Sequence, residues 1–238
     1  MRDSYCSPWK EDWRKSKSRM AGFLGELSAV ALKELKSLML PSANAKGTIL
    51  FMEGQAPQGI YILRAGQAKL SFTSREGKTF TLRFAKPGEV LGLMATLLSE
   101  PYEFTAETFD PCQIEFIHAH DFMRFLAARP EAYRSAARQM GSDYQAASEA
   151  LRNIGLGSSV TTKLARLLLD WSIGAPETRE GICIPWSLTH EDVAACIGTT
   201  RESVSRAFAE FRNRRLIAFK GSTVTIPNRQ ALMHLVAA

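Results

Sequence analysis

The chain has 238 residues, a formal net charge of +6 at pH 7, and 45% hydrophobic against 23% charged residues. That length leaves room for two modest domains, each able to bury a core. The balance of apolar and charged residues excludes a disordered or collagen-like chain, and the positive charge suits a polyanionic partner.

In chain order, the start MRDSYCSPWKEDWRKSKSRM is basic and lacks the apolar core of a secretory signal. No later run is long and apolar enough to span a membrane, so a cytoplasmic protein is expected. Residues 1–22 read as a solvated basic extension. A short helical pattern follows from Leu24 to Leu40.

Glycines then punctuate the chain at Gly47, Gly54, Gly59, Gly66, Gly77, Gly88 and Gly92. Between and beyond them lie TILFM, GIYILR, QAKLSFTS, TFTLRFA, FTAETF and CQIEFIHA, which are rich in β-branched and aromatic residues and roughly alternate. Such runs predict an antiparallel sandwich or barrel. Ser74-Arg75-Glu76-Gly77-Lys78 reads as a hairpin turn, with glycine where a positive φ costs least.

From about Asp121 no strand pattern continues, and the alanine-rich segment from Pro130 to Ile154 favours helix. Along it Tyr133, Ala137, Met140, Tyr144, Ala147, Leu151 and Ile154 step alternately by four and three, the a/d spacing of a coiled coil. The positions between are largely polar, so the segment predicts a dimer helix. Gly155 and Gly157 mark a hinge after it. A second amphipathic helix, Val160 to Trp171, opens the last domain, followed by a loop from Gly174 to Gly181 and a short strand, Ile182-Cys183-Ile184.

LTHEDVAACIGTTRESVSRAFAEFRNRRLIAFKGSTVTI then reads as helix, tight turn, helix and two short strands closed by Gly221-Ser222. Thr189 is placed to cap the first helix, which buries Val193, Cys196 and Ile197, while Gly198 relieves the turn. At about 100° per residue, Val204, Ala207, Phe208 and Phe211 share one side of the second helix and Arg201, Glu202, Ser205 and Arg206 the other. That second face offers guanidinium forks for guanine O6/N7, a carboxylate for cytosine N4 and a hydroxyl for base edges. Thr189, Thr199, Thr200 and Lys220 suit phosphate contacts. Between Thr199 and Lys220 the cations Arg201, Arg206, Arg212, Arg214, Arg215 and Lys220 outnumber Glu202 and Glu210. An ordinary salt-bridged face would not need the capped first helix, the small-residue turn and the basic wing together.

The cysteines Cys6, Cys112, Cys183 and Cys196 lie far apart, without the paired spacing of a zinc or redox site. An iron-sulfur cluster needs converging thiolates, and the N-terminal half offers only Cys6 and Cys112. His118 and His120 read as surface or hydrogen-bonded histidines rather than haem ligands. No cofactor is predicted.

With these residues in place the chain, over about residues 23 to 236, resembles the Crp/Fnr family. The resemblance implies an α+β protein: an N-terminal antiparallel β-roll of the cyclic-nucleotide-binding type (23–128), a dimerisation helix and hinge (129–157), and a C-terminal winged helix-turn-helix (158–238). Thr200 to Arg206 is similar to the family's recognition helix, whose Glu and Arg read a shared G·C pair. Arg201 matches the catabolite-activator branch, and Ser205 followed by Arg206 the anaerobic-regulator branch. The implied partners are double-stranded DNA, a second copy of the chain and RNA polymerase.

The roll departs from the cyclic-AMP-binding pattern. There a glutamate follows the glycine after the last long strand, and an Arg-(Ser/Thr)-Ala comes later. Here Leu93 follows Gly92, and Phe104 precedes Thr105-Ala106. A cyclic phosphate without its arginine would forgo a charge-assisted pair of about 2 to 3 kcal/mol. A pocket around Leu93, Phe104 and Thr105 would either hold an apolar ligand or be filled by its own side chains. The competing reading is a ligand-binding module with a similar roll and no DNA activity, which would lack the recognition helix and wing. No Gly-x-Ser-x-Gly, His-Glu-x-x-His or phosphate-binding loop supports an enzyme.

Overall fold

A computed structural model of the protein describes residues 23–77, 79–155 and 159–237. The basic extension 1–22, Lys78 and Gly157 lie outside the described residues, as do the side chains of Leu151 and Ile154. The chain forms two compact units, one ending at Ala147 and the other beginning at Ser148.

The first unit opens with a 3-10 turn, Phe23–Glu26, and helix α1, Ala29–Ser37, whose first turn is capped by the Ser28 hydroxyl accepting from Ala31 N–H. The helix stops short of Leu40. Pro41 disfavours a helical residue before it, and Leu40–Asn44 instead forms strand β1. Seven strands follow: β2 Ile49–Phe51, β3 Gly59–Ala65, β4 Ala68–Thr73, β5 Thr79–Ala85, β6 Val90–Leu91, β7 Thr105–Thr108 and β8 Cys112–His118.

They make two four-stranded antiparallel sheets, ordered β1-β8-β3-β6 and β2-β7-β4-β5. Pro41 is accommodated because β1 is an edge strand, where a missing N–H costs little. The hairpin between β4 and β5 forms as the sequence predicts: Gly77 has φ 80° and its N–H reaches the Ser74 carbonyl at 2.9 Å.

Alternation sends β3 side chains to two cores. Leu63 joins Phe51, Leu70, Ala106 and Ile114 between the sheets. Ile60 and Ile62 face the helices, packing with Leu35, Leu93, Phe122 and Phe125. Those helices include α2, Leu93–Leu98, and α3, Ala119–Ala128. Helix α4 runs from Pro130 to Gly155, with proline at the first helical position, where its missing N–H is harmless. It buries Ala132, Ser135, Ala136 and Gln139 against the first unit.

In the second unit, which begins within the last turns of α4, the next helix is α5, Val160–Trp171, capped by Ser159. The stretch expected as a loop from Gly174 to Gly181 contains strand β9, Glu177–Thr178, which pairs with β10, Gly181–Pro185. Then come α6 His190–Ile197, α7 Arg201–Asn213, β11 Ala218–Lys220, β12 Thr223–Ile226 and α8 Arg229–Ala237. The sheet order is β11-β12-β10-β9. Leu164, Leu168, Val193, Ile197, Val204, Phe208, Phe211, Val224 and Leu232 are all buried. Helix, turn, helix and two-stranded wing thus stand on a core supplied by α5 and the sheet.

Candidate nucleic-acid interface

Two caps position the helix pair. Thr189 accepts from Asp192 N–H at 3.1 Å while the Asp192 carboxylate accepts from Thr189 N–H at 2.9 Å, a reciprocal capping box that starts α6. Gly198 ends it at φ 64°, a left-handed conformation that a side chain would strain. Thr200 then caps α7, accepting from Ser203 N–H at 3.3 Å.

On α7 the sequence division holds. Val204, Ala207, Phe208 and Phe211 are buried, whereas Arg201, Glu202 and Arg206 are exposed together at the helix start. Arg206 is held in place: its Nη2 donates to Ser203 Oγ at 3.0 Å, an oxygen that lies 3.1 Å from the Thr200 hydroxyl. The Glu202 carboxyl lies below the ordinary carboxylate range because its own backbone N–H and the Thr200 hydroxyl stabilise the anion, with Arg201 and Arg206 adding to the effect. It therefore stays an acceptor at neutral pH.

Ser205 differs from its neighbours. It is half-buried, and its Oγ lies 2.8 Å from His190 Nδ1. Neither His190 nor Ser203 is signalled by the sequence reading, although Ser203 stands three residues before Arg206 on one helix face, a spacing that would have revealed it. Thr189 and Thr200 are exposed and Thr199 half-buried; Lys220 is exposed on the wing, beside Phe219, whose ring meets Phe208 at 5.5 Å. Arg214 pairs with Glu210 at 3.0 Å, so that cation is partly neutralised.

Elsewhere the predicted residues divide. Along α4, Tyr144 is 75% and Tyr133 45% exposed, and Ala137 is exposed, forming an uncovered stripe. Ala147 is half-buried, and Met140 packs against the first unit's core. Leu93 is buried among the helices, while Phe104 packs between the sheets near Phe51, with ring centroids 6.0 Å apart. Thr105 Oγ1 accepts from Glu53 N–H at 3.1 Å. These three are therefore not gathered in one pocket. A polar groove of about 370 Å³ lies instead beside Arg83, Glu89, Gln139 and Asp143. There Arg83 ties β5 to α4, donating to Glu89 and, at 2.8 Å, to Asp143, whose carboxyl burial pushes up.

His118 is exposed, its ring edge-on to Phe116, and the His120 side chain is 82% exposed. Burial pushes the Cys112 thiol up to about 11, keeping it protonated at neutral pH. Among the described residues, no three His, Cys, Asp or Glu side chains stand together as metal ligands, and no helix is long and apolar enough to cross a membrane.

Comparison with known proteins bears on this geometry directly. Residues 41–129 match the model of the cyclic nucleotide-binding domain, and residues 162–235 that of the Crp-like helix-turn-helix domain. The global nitrogen regulator of Synechococcus elongatus is 27% identical over 192 residues, covering 79% of this chain and 85% of the relative. The CRP-like cAMP-activated global transcriptional regulator of Mycobacterium tuberculosis is 23% identical over 214 residues, covering 89% and 95%. The structure of FixK2 from Bradyrhizobium japonicum shares the fold, with a TM-score of 0.74 at 18% identity over 84% of this chain and 98% of that one. Roll, long helix and winged helix-turn-helix occur in the same order in sequence and structure, and the chain belongs to the Crp/Fnr family of DNA-binding transcriptional regulators.

Proposed function

We propose that the chain acts in the cytoplasm as a homodimer on an inverted-repeat operator, with residues 23–128 as sensor, 129–157 as dimerisation helix and hinge, and 158–238 as the DNA-binding domain. The observation that carries this is the exposed cluster of Arg201, Glu202 and Arg206 at the start of α7, opposite the buried Val204, Phe208 and Phe211. Arg206 donates to a guanine and Glu202 accepts from the paired cytosine; Arg201 reads an upstream guanine, and Ser205 a neighbouring thymine or phosphate. Thr189, Thr199, Thr200 and Lys220 contact phosphates and fix the register. Thr189 commits both its N–H and its hydroxyl proton to Asp192, and the Thr200 hydroxyl is engaged at the start of its own helix, so the larger share of that task falls to Lys220. RNA polymerase is the further partner such a regulator addresses.

Selection of binding sites from random duplex DNA by the purified protein tests this reading. It should enrich two TGA-like half-sites in inverted orientation, about one helical turn apart centre to centre. Recovery of no common sequence would leave a ligand-binding module without DNA activity.

The sensor is not gated by cyclic AMP or cyclic GMP. Leu93 is buried among helices and Phe104 between sheets, so neither a ribose-binding carboxylate nor a phosphate-binding arginine stands at those positions. Titration calorimetry with either nucleotide should give no binding heat at micromolar concentration. Saturable micromolar binding within the roll would refute this.

A further inference from the structure

His190 is the first residue of α6, and its ring is fixed at two points. It lies nearly parallel to Phe208, at 14° with ring centroids 5.1 Å apart, and Phe208 is itself buried against Trp186 and Phe219. That stack sets the plane of the imidazole. The 2.8 Å contact between Nδ1 and Ser205 Oγ then sets its rotation and joins α6 to α7.

The consequence falls on Ser205. A serine hydroxyl carries one proton and two lone pairs, and when free to turn it can donate to thymine O4 or accept from adenine N6 or cytosine N4. A hydroxyl of that kind discriminates poorly. Tied to an imidazole, it loses the choice. If Nδ1 is bare, Ser205 gives its proton to His190, and only lone pairs face outward. If Nδ1 carries a proton, His190 donates to Oγ, and the serine proton is free for an acceptor on a base.

We propose that His190 is a specificity-setting positioning residue: by holding the Ser205 hydroxyl in one polarity, it decides which base that hydroxyl selects. The proposal rests on the reading that Ser205 faces base edges. His190 need not touch DNA for this role. Glu202 and Arg206 are held by separate contacts at the helix start, and none of these involves His190, so their preferences should be independent of it.

The experiment compares affinities of wild type, Ser205→Ala, His190→Phe, His190→Asn and the Ser205→Ala/His190→Phe double variant for an operator panel with each base pair changed singly. His190→Phe keeps an aromatic ring on Phe208 and removes the hydrogen bond. His190→Asn places a polar group where Nδ1 stood. Ser205→Ala and His190→Phe should each lose the same preference, about two- to tenfold at one base pair of each half-site. The double variant should lose no more than either alone, His190→Asn should restore part of the preference, and the pairs read by Arg206 should be unaffected in all four. Retention of the wild-type preference by His190→Phe, where Ser205→Ala loses it, would overturn the proposal while leaving Ser205 a base reader. An unchanged Ser205→Ala profile would overturn both. Loss by His190→Phe across all base pairs would assign His190 to folding and also overturn the proposal.

Discussion

A chain carrying Ala137→Asp together with Tyr144→Asp will sediment as a monomer at micromolar concentration and bind its operator about 10²- to 10⁴-fold more weakly, the avidity that linking two half-site contacts provides. Both positions lie on the exposed stripe of α4. A parallel pair of such helices about a two-fold axis is isologous, so each aspartate would face its own copy in a water-poor seam without a counterion. Met140 is a poorer choice, although it lies in the same heptad series, because it also packs against the first unit's core and its loss would damage the fold. At the exposed sites surface substitution should change the stability of the single chain by no more than about 0.5 kcal/mol, so the expected pair of observations is lost dimerisation with a thermal transition that stays cooperative, its midpoint lowered only by the stabilisation that association had supplied and no longer dependent on protein concentration. A variant that still sediments as a dimer would remove α4 from the interface.

The elements legible in the sequence are those long enough to show a period. Strands β3, β4, β5 and β8 each have six or seven residues rich in β-branched and aromatic side chains, and α7 repeats its apolar residues at Val204, Ala207, Phe208 and Phe211. Strands β6 and β9 have two residues each, too few for any period, and exist through pairing with β3 and β10. Strand β1, LPSAN, has no apolar alternation and is placed by its backbone register against β8. Helix α8 follows the Asn228 cap, at Ala231 N–H to Oδ1 3.2 Å, and its Leu232 is buried.

The site divides on the same principle. Arg201, Glu202 and Arg206 follow from helical geometry alone, because an exposed face is the complement of a buried one. The His190–Ser205 contact spans fifteen residues across a turn, so no local pattern announces it. Leu93 and Phe104 show the reverse problem. Each is identified by its place in a family pattern, yet one packs toward the helices and the other between the sheets, a partition that only the folded sheet order creates.

Arg206→Ala will lower affinity for the selected operator by about 1 to 3 kcal/mol and flatten the preference at its guanine, whereas Lys220→Ala will weaken all sequences alike and reduce the salt slope by about one. The contrast follows from how each cation is held. Arg206 gives one N–H to Ser203 Oγ, which orders the side chain and leaves the remaining guanidinium donors for O6 and N7 of a base. Lys220, exposed on the wing, is a mobile point charge suited to a phosphate, whose displacement of counterions carries no sequence information directly. On the proposed reading Glu202 would make the discrimination two-sided: kept ionised near Arg206, it would accept from cytosine N4 and face the O4 acceptor of a thymine with repulsion. Arg206→Lys should recover the charge and the salt slope but not the guanine preference, since an ammonium cannot present two donors in one plane. If Arg206→Ala keeps the wild-type preference in a selection from random duplexes, Arg206 does not read a base, and the specificity of α7 must come from Arg201, Glu202 and Ser205.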